Sequence, residues 1–370
     1  MKIIQIMSGS YPPTEGVGSH VFSISKALVN CGHSVQIVVR DYNVKEVTII
    51  RDSGIEIVLV PVKKIPFIST FLFKQKVEKY FMNKNFDVVH FHSPLVPFVN
   101  LNTKKYILTI HSTMKVDTSY IEAISINAIL NKIMGRFLSP IIEGTLLKNA
   151  SKVIVVSHDI TDELRDEYNY KKDNILYIPN GIDKNIFYDM NLDRKKQIVY
   201  IGRLGYRKGL PVLIEAINIM SDYLRKSNYN IILSGEGHLK NYLLEQIDKY
   251  SLSDIITITA TKQADVNKLL NQSMFLIMNS TYETGPRTVL ESMFSKTPVI
   301  ATKVGLLRHF DDNDYIRINK FDKKSVIDAI TRAINLDTKT YENFKVQHQK
   351  YINDFNIEKV TNNLITAYEE

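Results

Sequence analysis

Two glutamates, Glu283 and Glu291, stand with seven residues between them in NSTYETGPRTVLESMFSKTPVIATKV, residues 279–304. A carboxylate pair can do acid–base work across a glycosidic bond, or it can hold hydroxyl groups on either side of a bound phosphate. Glycoside hydrolases keep their two carboxylates roughly 5–9.5 Å apart. Eight helical positions separate Cα atoms by about 12 Å, so the hydrolase geometry is the poorer fit, although the break between the two residues leaves it open. That break is Gly285-Pro286. The residue before a proline is pushed out of the α region, and proline suits the first helical position. A helix is therefore predicted from Pro286 through Ser295, and Pro298–Thr302 reads as a short buried strand. Glu283 then sits on a loop ahead of a helix N-terminus, and Glu291 lies inside the helix. The free first-turn amides and the helix dipole make that N-terminus a place for an anion.

A second charged turn, GRLGYRKG, follows the strand Ile198–Ile201 and carries Arg203 and Lys208. One is a planar fork and the other a point charge, a mixture suited to a diphosphate. Standing alone, the two are equally well surface cations. Near the start, the strand Lys2–Met7 runs into SGSYPPTEGVG and a helix over about Ser19–Cys31. Strand, glycine-rich turn and helix open a nucleotide-type α/β unit. At Gly16 and Gly18 the backbone can approach a ligand without interference from a Cβ atom.

These turns need a frame of alternating strands and helices, and the pattern occurs twice. In the first half strands are predicted at 34–39, 87–93, from Tyr106 into His111-Ser112, and at 153–157, and the segment Tyr177–Phe187, with a turn at Asn180-Gly181, closes that half. In the second half they are predicted at 198–201, 230–234, 254–259, 274–278 and 298–302. Two doubly wound α/β domains follow, with the polar stretch Asp189–Gln197 as the hinge. Ligands in such sheets bind at the carboxyl ends of strands. There the first half offers His90 and His92, which share one strand face, and His111. No carboxylate or third histidine stands at a ligand-like spacing from the first two, so a metal site is disfavoured.

The chain has 370 residues, 44% hydrophobic and 23% charged, which suits a globular protein of two domains. Its one cysteine, Cys31, excludes an internal disulfide, fits a reducing compartment and reads as a small buried side chain near a helix end. MKIIQIM lacks the plan of a signal peptide, and no apolar run is long enough for a spanning helix. The net charge of +8 is compatible with anionic substrates or an anionic membrane face. Residues 63–84 hold six lysines and one glutamate, Glu78, among large apolar side chains. They form either a solvated helix with lysine stems on apolar surface or a basic face for an anionic membrane. Asp311-Asp312-Asn313-Asp314 superficially suggests a metal-binding cluster but reads as a solvated turn.

Taken together, E-x-x-P-R-x-x-L-E-x-M with x-P-V-I-A-T after it, G-R-L-x-x-x-K-G, SYPPTEGVGSHV with GHSV, and IPNGIDKNIF resemble the retaining glycosyltransferases of the group 1 family, glycosyltransferase family 4. The resemblance covers nearly the whole chain. It implies the GT-B fold, an α/β arrangement of two Rossmann-like doubly wound domains facing each other across a cleft. The implied boundaries are 1–188 for the acceptor-side domain, 189–350 for the nucleotide-sugar domain and 351–370 for a helix packing back on the first.

By the same resemblance Arg203 and Lys208 hold the leaving diphosphate, Glu291 holds ribose hydroxyls and Glu283 holds hydroxyls of the donor sugar. Gly285, Arg287 and Thr288 face phosphate or sugar, Gly16 is a donor-side contact, and His111 reaches the donor from the opposite domain. The implied reaction transfers a sugar from a nucleoside diphosphate to an acceptor hydroxyl with retention, the leaving phosphate accepting the proton. No metal or other cofactor is required. The implied acceptor is a carbohydrate or lipid-linked molecule, with no nucleic acid among the partners, and the implied location is cytoplasmic, peripheral at the inner membrane face through 63–84. A nucleotide-sugar hydrolase or epimerase, or a catalytically silent glycosyltransferase-like protein, is the alternative. Three departures from the family pattern stand out: Glu15 where many members have glycine, Lys296 where glycine is usual, and His309, beside Arg308, where an acidic residue is common.

Overall fold

A computed structural model describes residues 1–13, 16–63, 65, 68–120 and 126–370. Glu15, and residues 64, 66 and 67 of the basic segment, lie outside the described residues. The chain forms two compact units, Met1–Gly181 with Ile357–Glu370, and Ile182–Asn356.

In the first unit the apolar runs form strands β1 (Lys2–Met7), β2 (Ser34–Asp41), β3 (Thr48–Asp52), β4 (Ile55–Pro61), β5 (Asn85–Ser93), β6 (Asn102–Ile110), β7 (Lys152–Val155) and β8 (Ile175–Tyr177). Their order is β3-β4-β2-β1-β5-β6-β7-β8, parallel except for the antiparallel β3–β4 pair. Helices cover both faces of a parallel sheet, which is why these strands are apolar in continuous runs. Sequence patterning does not reveal the β3–β4 hairpin. Its turn is Ser53-Gly54, both with positive φ (52° and 78°), as a two-residue hairpin turn requires.

The C-terminal helix Ile357–Glu369 belongs to this unit. Ile357, Val360, Leu364, Ala367 and Tyr368 bury one face against Ile3, Ile24, Leu28, Val88 and Ile107. Each fully buried large aliphatic side chain contributes about 1.5–3 kcal/mol.

The second unit holds β9 (Lys195–Ile201), β10 (Asn230–Ser234), β11 (Ile256–Thr259), β12 (Ser273–Met278), β13 (Val299–Thr302) and β14 (Ile316–Ile318). The order β11-β10-β9-β12-β13-β14 is wholly parallel. Counted from its own first strand, this is the 3-2-1-4-5-6 order of dinucleotide-binding folds, whose ligands sit where the order reverses. The reversal falls between β9 and β12.

The units divide at Gly181–Ile182 and Asn356–Ile357, not at 188 and 350. The two crossing segments pair, Ile182 N–H donating to Phe355 O at 2.8 Å. Asp189–Gln197 is not a hinge. Met190 N–H donates to Asn271 Oδ1 at 2.8 Å, and Arg194 donates to the carbonyls of Leu270, Ser273, Ser295 and Lys296 and to Thr297 Oγ1. At the far end Tyr351 stacks on Phe310 at 3.9 Å, so residues 351–355 close the second unit.

Two further expectations are corrected. Cys31 is exposed, because the chain has left the helix Gly16–Asn30 and turns at Gly32 (φ 85°). The Asp311–Asp314 turn is not simply solvated. Asp314 is buried and accepts from Tyr351 Oη and from the amide of Asp311, with Lys350 Nζ at 2.8 Å.

Lys296 ends the helix Arg287–Phe294 in the left-handed region, φ 52°. Lys296 N–H bonds to Met293 O at 3.0 Å and Thr297 N–H to Ser292 O at 2.8 Å, the pair of bonds for which glycine is favoured. The left-handed conformation costs a non-glycine residue roughly 1–2 kcal/mol, and glycine gives back about 0.5–1 kcal/mol in chain entropy. Lys296→Gly is therefore expected to raise the melting temperature by about 1–4 °C. An unchanged or lower melting point in a thermal scan would contradict this account.

Candidate active site

Three loops at the carboxyl ends of β9, β12 and β13 meet at the reversal point. The β9 loop turns at Gly209 (φ 66°), where a Cβ atom would lie 1.9 Å from Asn279 O. Asn279 Nδ2 donates to Gly209 O at 3.0 Å, and Thr281 donates from N and Oγ1 to Arg207 O at 2.8 and 3.2 Å. The β13 loop approaches from the other side. Gly305 (φ 53°) leaves room for the carbonyls of Glu283 and Thr284, which a Cβ would meet at 2.3 and 2.4 Å, and Leu306 N–H donates to Thr284 O at 2.7 Å. Glycine is required at both positions by φ and by space.

Within this frame Lys208 Nζ is ion-paired with Glu283 Oε1, which also accepts from Ser280 Oγ at 2.8 Å. Both partners are largely sheltered. Arg203 is exposed on the same β9 turn, and its carbonyl accepts from the buried Tyr200 hydroxyl at 2.7 Å. Burial, reinforced by the Glu283 charge, raises the Tyr200 phenol well above its ordinary pKa, so it stays a donor.

The helix carrying Glu291 starts at Arg287. Pro286 precedes it at the N-cap, one residue outside the helix that sequence predicts it to open. No side chain caps this end, which leaves first-turn amides, beginning with those of Arg287 and Thr288, directed out of the helix start beside Gly285. Arg287 Nη2 pairs with the buried Glu291 Oε1 at 3.4 Å. Burial raises the Glu291 pKa and the Arg287 charge pulls it back. Arg287 Nη1 is buried with no hydrogen-bond acceptor. The two glutamates thus answer to different cations, Glu283 to Lys208 and Glu291 to Arg287.

His111 and Gly16 belong to the first unit. Gly16 is the first residue of its helix and not part of the turn before it, and a Cβ there would meet nothing within 4 Å. His111 follows β6 and is buried beside His92, with Nε2 3.2 Å from His92 Nδ1. His20, from the helix after β1, lies 5.1 Å from His111 between ring centres. Spacing alone makes His92 a poor metal ligand, and the sequence assigns no role to His20, Gln5 or Ser280. The H-x-H spacing on one strand face was the available signal. Among the described residues no group of three or more His, Cys, Asp or Glu side chains is arranged to hold a metal ion.

Residues 14–185 match the model of Glycosyltransferase Family 4, and residues 183–351 match that of Glycosyl transferases group 1. The chain belongs to the group 1 glycosyltransferases. This glycosyltransferase is 26% identical over 334 residues to an uncharacterized glycosyltransferase of Methanocaldococcus jannaschii, covering 82% of this chain and 81% of that protein. It is 24% identical over 345 residues to a subunit of the phosphatidylinositol N-acetylglucosaminyltransferase of Homo sapiens, covering 90% and 68%. Among solved structures it resembles the sucrose-phosphate synthase of Thermosynechococcus elongatus, with TM-score 0.83 at 20% identity over 100% of this chain and 98% of that one. HepE of Anabaena, solved with UDP and glucose, gives TM-score 0.74 at 14% identity over 100% of both chains. The glycosyltransferase thus has two Rossmann-like α/β units of the GT-B class.

Proposed function

We propose that this glycosyltransferase takes a sugar from a nucleoside diphosphate sugar and passes it to an acceptor hydroxyl with retention of configuration. The observation that carries the reading is the Lys208–Glu283 pair pinned by three loops at the strand-order reversal, beside an uncapped helix start. Arg203, Lys208 and the amides of the helix start receive the diphosphate. Glu283 takes hydroxyls of the sugar, Glu291 takes those of the ribose, and His111 serves the transfer step. As the glycosidic bond breaks, negative charge grows on the diphosphate, and fixed cations there favour the transition state. Side-chain cations carry this task, so the reaction proceeds without a metal. The structural relative solved with UDP and glucose makes UDP the first nucleotide to test.

The test is incubation with UDP-, GDP- and ADP-sugars, with and without glycolipid acceptors and a strong chelator. Nucleoside diphosphate release that depends on acceptor and survives chelation is expected. Free sugar formed without acceptor would make the protein a hydrolase, and no turnover with any donor would make it silent.

The relationship to a component of a phosphatidylinositol N-acetylglucosaminyltransferase supports a lipid-linked acceptor, and hence an anionic membrane surface as partner. No described helix is long and apolar enough to cross a membrane. In the basic segment the helix Ile68–Phe81 turns Phe73, Val77 and Phe81 inward, Lys76 donates to Pro61 O, and Lys74 pairs with Glu78. The helix Ile126–Asn149 suits a membrane better. It exposes Ile129, Ile133, Phe137 and Ile141 four residues apart, with Lys132 and Arg136 exposed among them. Its one acid, Glu143, points inward to Ser93 and the Met114 amide. Exposed apolar side chains flanked by cations suit an anionic interface. Sedimentation with phosphatidylglycerol vesicles at low salt, lost in Phe137→Ser/Ile141→Ser, is expected. Equal pelleting with phosphatidylcholine, or none at all, would remove the membrane from the reading.

A further inference from the structure

The parallel register of β1, β5 and β6 gathers Gln5, His90, His92 and Thr109 on neighbouring strands, with His111 just beyond the end of β6. Both nitrogens of His90 are committed elsewhere, Nδ1 to Tyr368 Oη and Nε2 to Thr109 Oγ1, each at 2.7 Å. His92 links two different partners. Its Nε2 lies 2.7 Å from Gln5 Oε1 and its Nδ1 lies 3.2 Å from His111 Nε2.

His92 is fully enclosed, and burial together with the neighbouring imidazoles holds its pKa well below the ordinary value. The ring is therefore neutral and has one N–H to place. A carboxamide oxygen can only accept, so that proton sits on Nε2, facing Gln5. His92 Nδ1 is then a bare acceptor, and His111 Nε2 must be the donor across the 3.2 Å contact. With its Nε2 proton spent on His92, every other bond His111 makes runs through Nδ1, which in the neutral ring is an acceptor.

We propose that His92, itself oriented by Gln5, is a positioning residue that fixes the tautomer and ring plane of His111. A sugar hydroxyl meeting His111 then donates to Nδ1. This step rests on the reading of His111 as a residue of the transfer reaction, whereas the tautomer assignment does not.

The experiment uses the full chain with 15N-labelled histidine. Two-bond 1H–15N spectra report which ring nitrogen carries the proton, and resonances are assigned by single-histidine variants. Wild-type His92 and His111 should both show the Nε2–H pattern. His92→Phe should turn His111 into a tautomer mixture. His92→Asn places a carboxamide oxygen near the position of Nδ1 and should restore the pattern. With UDP-glucose and UDP-N-acetylglucosamine as donor probes, turnover should fall about 10- to 100-fold in His92→Phe. It should recover largely in His92→Asn, with UDP affinity unchanged in both. An Nδ1–H pattern at His111, which a reversed Gln5 amide would produce, overturns the proposal. So does an unaltered His111 spectrum in His92→Phe. If the spectra behave as expected but neither His92→Phe nor His111→Ala slows turnover, the tautomer assignment stands and the transfer role of His111 falls.

Discussion

Lys208→Ala is expected to weaken nucleoside diphosphate binding by about 100-fold, and Arg203→Ala by about 10-fold or more. A hydrogen bond to a charged group contributes roughly 1.5–3 kcal/mol, which corresponds to about 10- to 150-fold in affinity. Lys208 belongs at the upper end because of its partner. Without it Glu283 keeps only the Ser280 hydroxyl among its identified partners, and an uncompensated carboxylate then faces the arriving diphosphate. Arg203 is exposed, where solvent screens its charge and the loss is smaller. The same titrations separate the two glutamates. Glu283→Gln should keep nucleotide affinity and lose transfer, since Lys208 is then released to the phosphate. Glu291→Gln should weaken the nucleotide itself, because Arg287 loses its buried counter-charge. Wild-type affinity in both cation variants, or reversed effects of the glutamates, would refute the assignment.

Acidification from pH 7 to 5 is expected to destabilise the protein more steeply than surface charge alone would. Burial lowers the pKa of His90 to about 3 and that of His348 to about 4, and it holds His92 well below its ordinary value. In the unfolded chain each returns to about 6.5. Stability is therefore complete above about pH 6.5 and is lost progressively as pH falls toward the folded values, because the unfolded chain binds protons that the native state refuses. Two carboxyls oppose this. Burial raises Glu143 to about 7 and also raises Glu291, so as pH falls the native state takes their protons before the unfolded chain does. Three histidines against one carboxyl, Glu143, or two with Glu291, leave one to two protons taken up on unfolding. At about 1.4 kcal/mol per proton and pH unit this gives roughly 1.4–3 kcal/mol per pH unit. Urea midpoints followed by circular dichroism should fall accordingly. Equal midpoints at pH 7 and 5 would show that these histidines become protonated in the native state.

The parts of the site that sequence makes legible are those with local chemistry. Gly285-Pro286 and the glycines of GRLGYRKG announce turns within a few residues, and the alternation around them gives the strands. What escapes is non-local. Gln5 interrupts an apolar strand with one amide whose partner is 87 positions away. Arg194 looks like a surface cation in a polar stretch, yet its guanidinium is spent on carbonyls 76 to 102 residues distant. The same polarity misplaces the unit boundary, because the side chains of Asn267, Asn271 and Arg194 satisfy backbone and side-chain groups that sequence assigns to solvent. Glu143 gives no sign in sequence that it ties the ends of β5 and β6 together through Ser93 and Met114.

The return of the chain to its first unit sets an order of events during synthesis. Ile182–Asn356 is continuous and can close its core once that stretch has left the ribosome. The earlier stretch Met1–Gly181 emerges first but cannot finish. Ile3, Ile24, Leu28, Val88 and Ile107 wait for Val360, Leu364 and Tyr368, which follow the whole second unit in the chain. The amino-terminal unit is thus the later of the two to mature, and until then it presents a patch of aliphatic surface that a nascent-chain chaperone would recognise. A chain released after residue 356 should therefore show a protease-resistant second unit and a protease-sensitive first one.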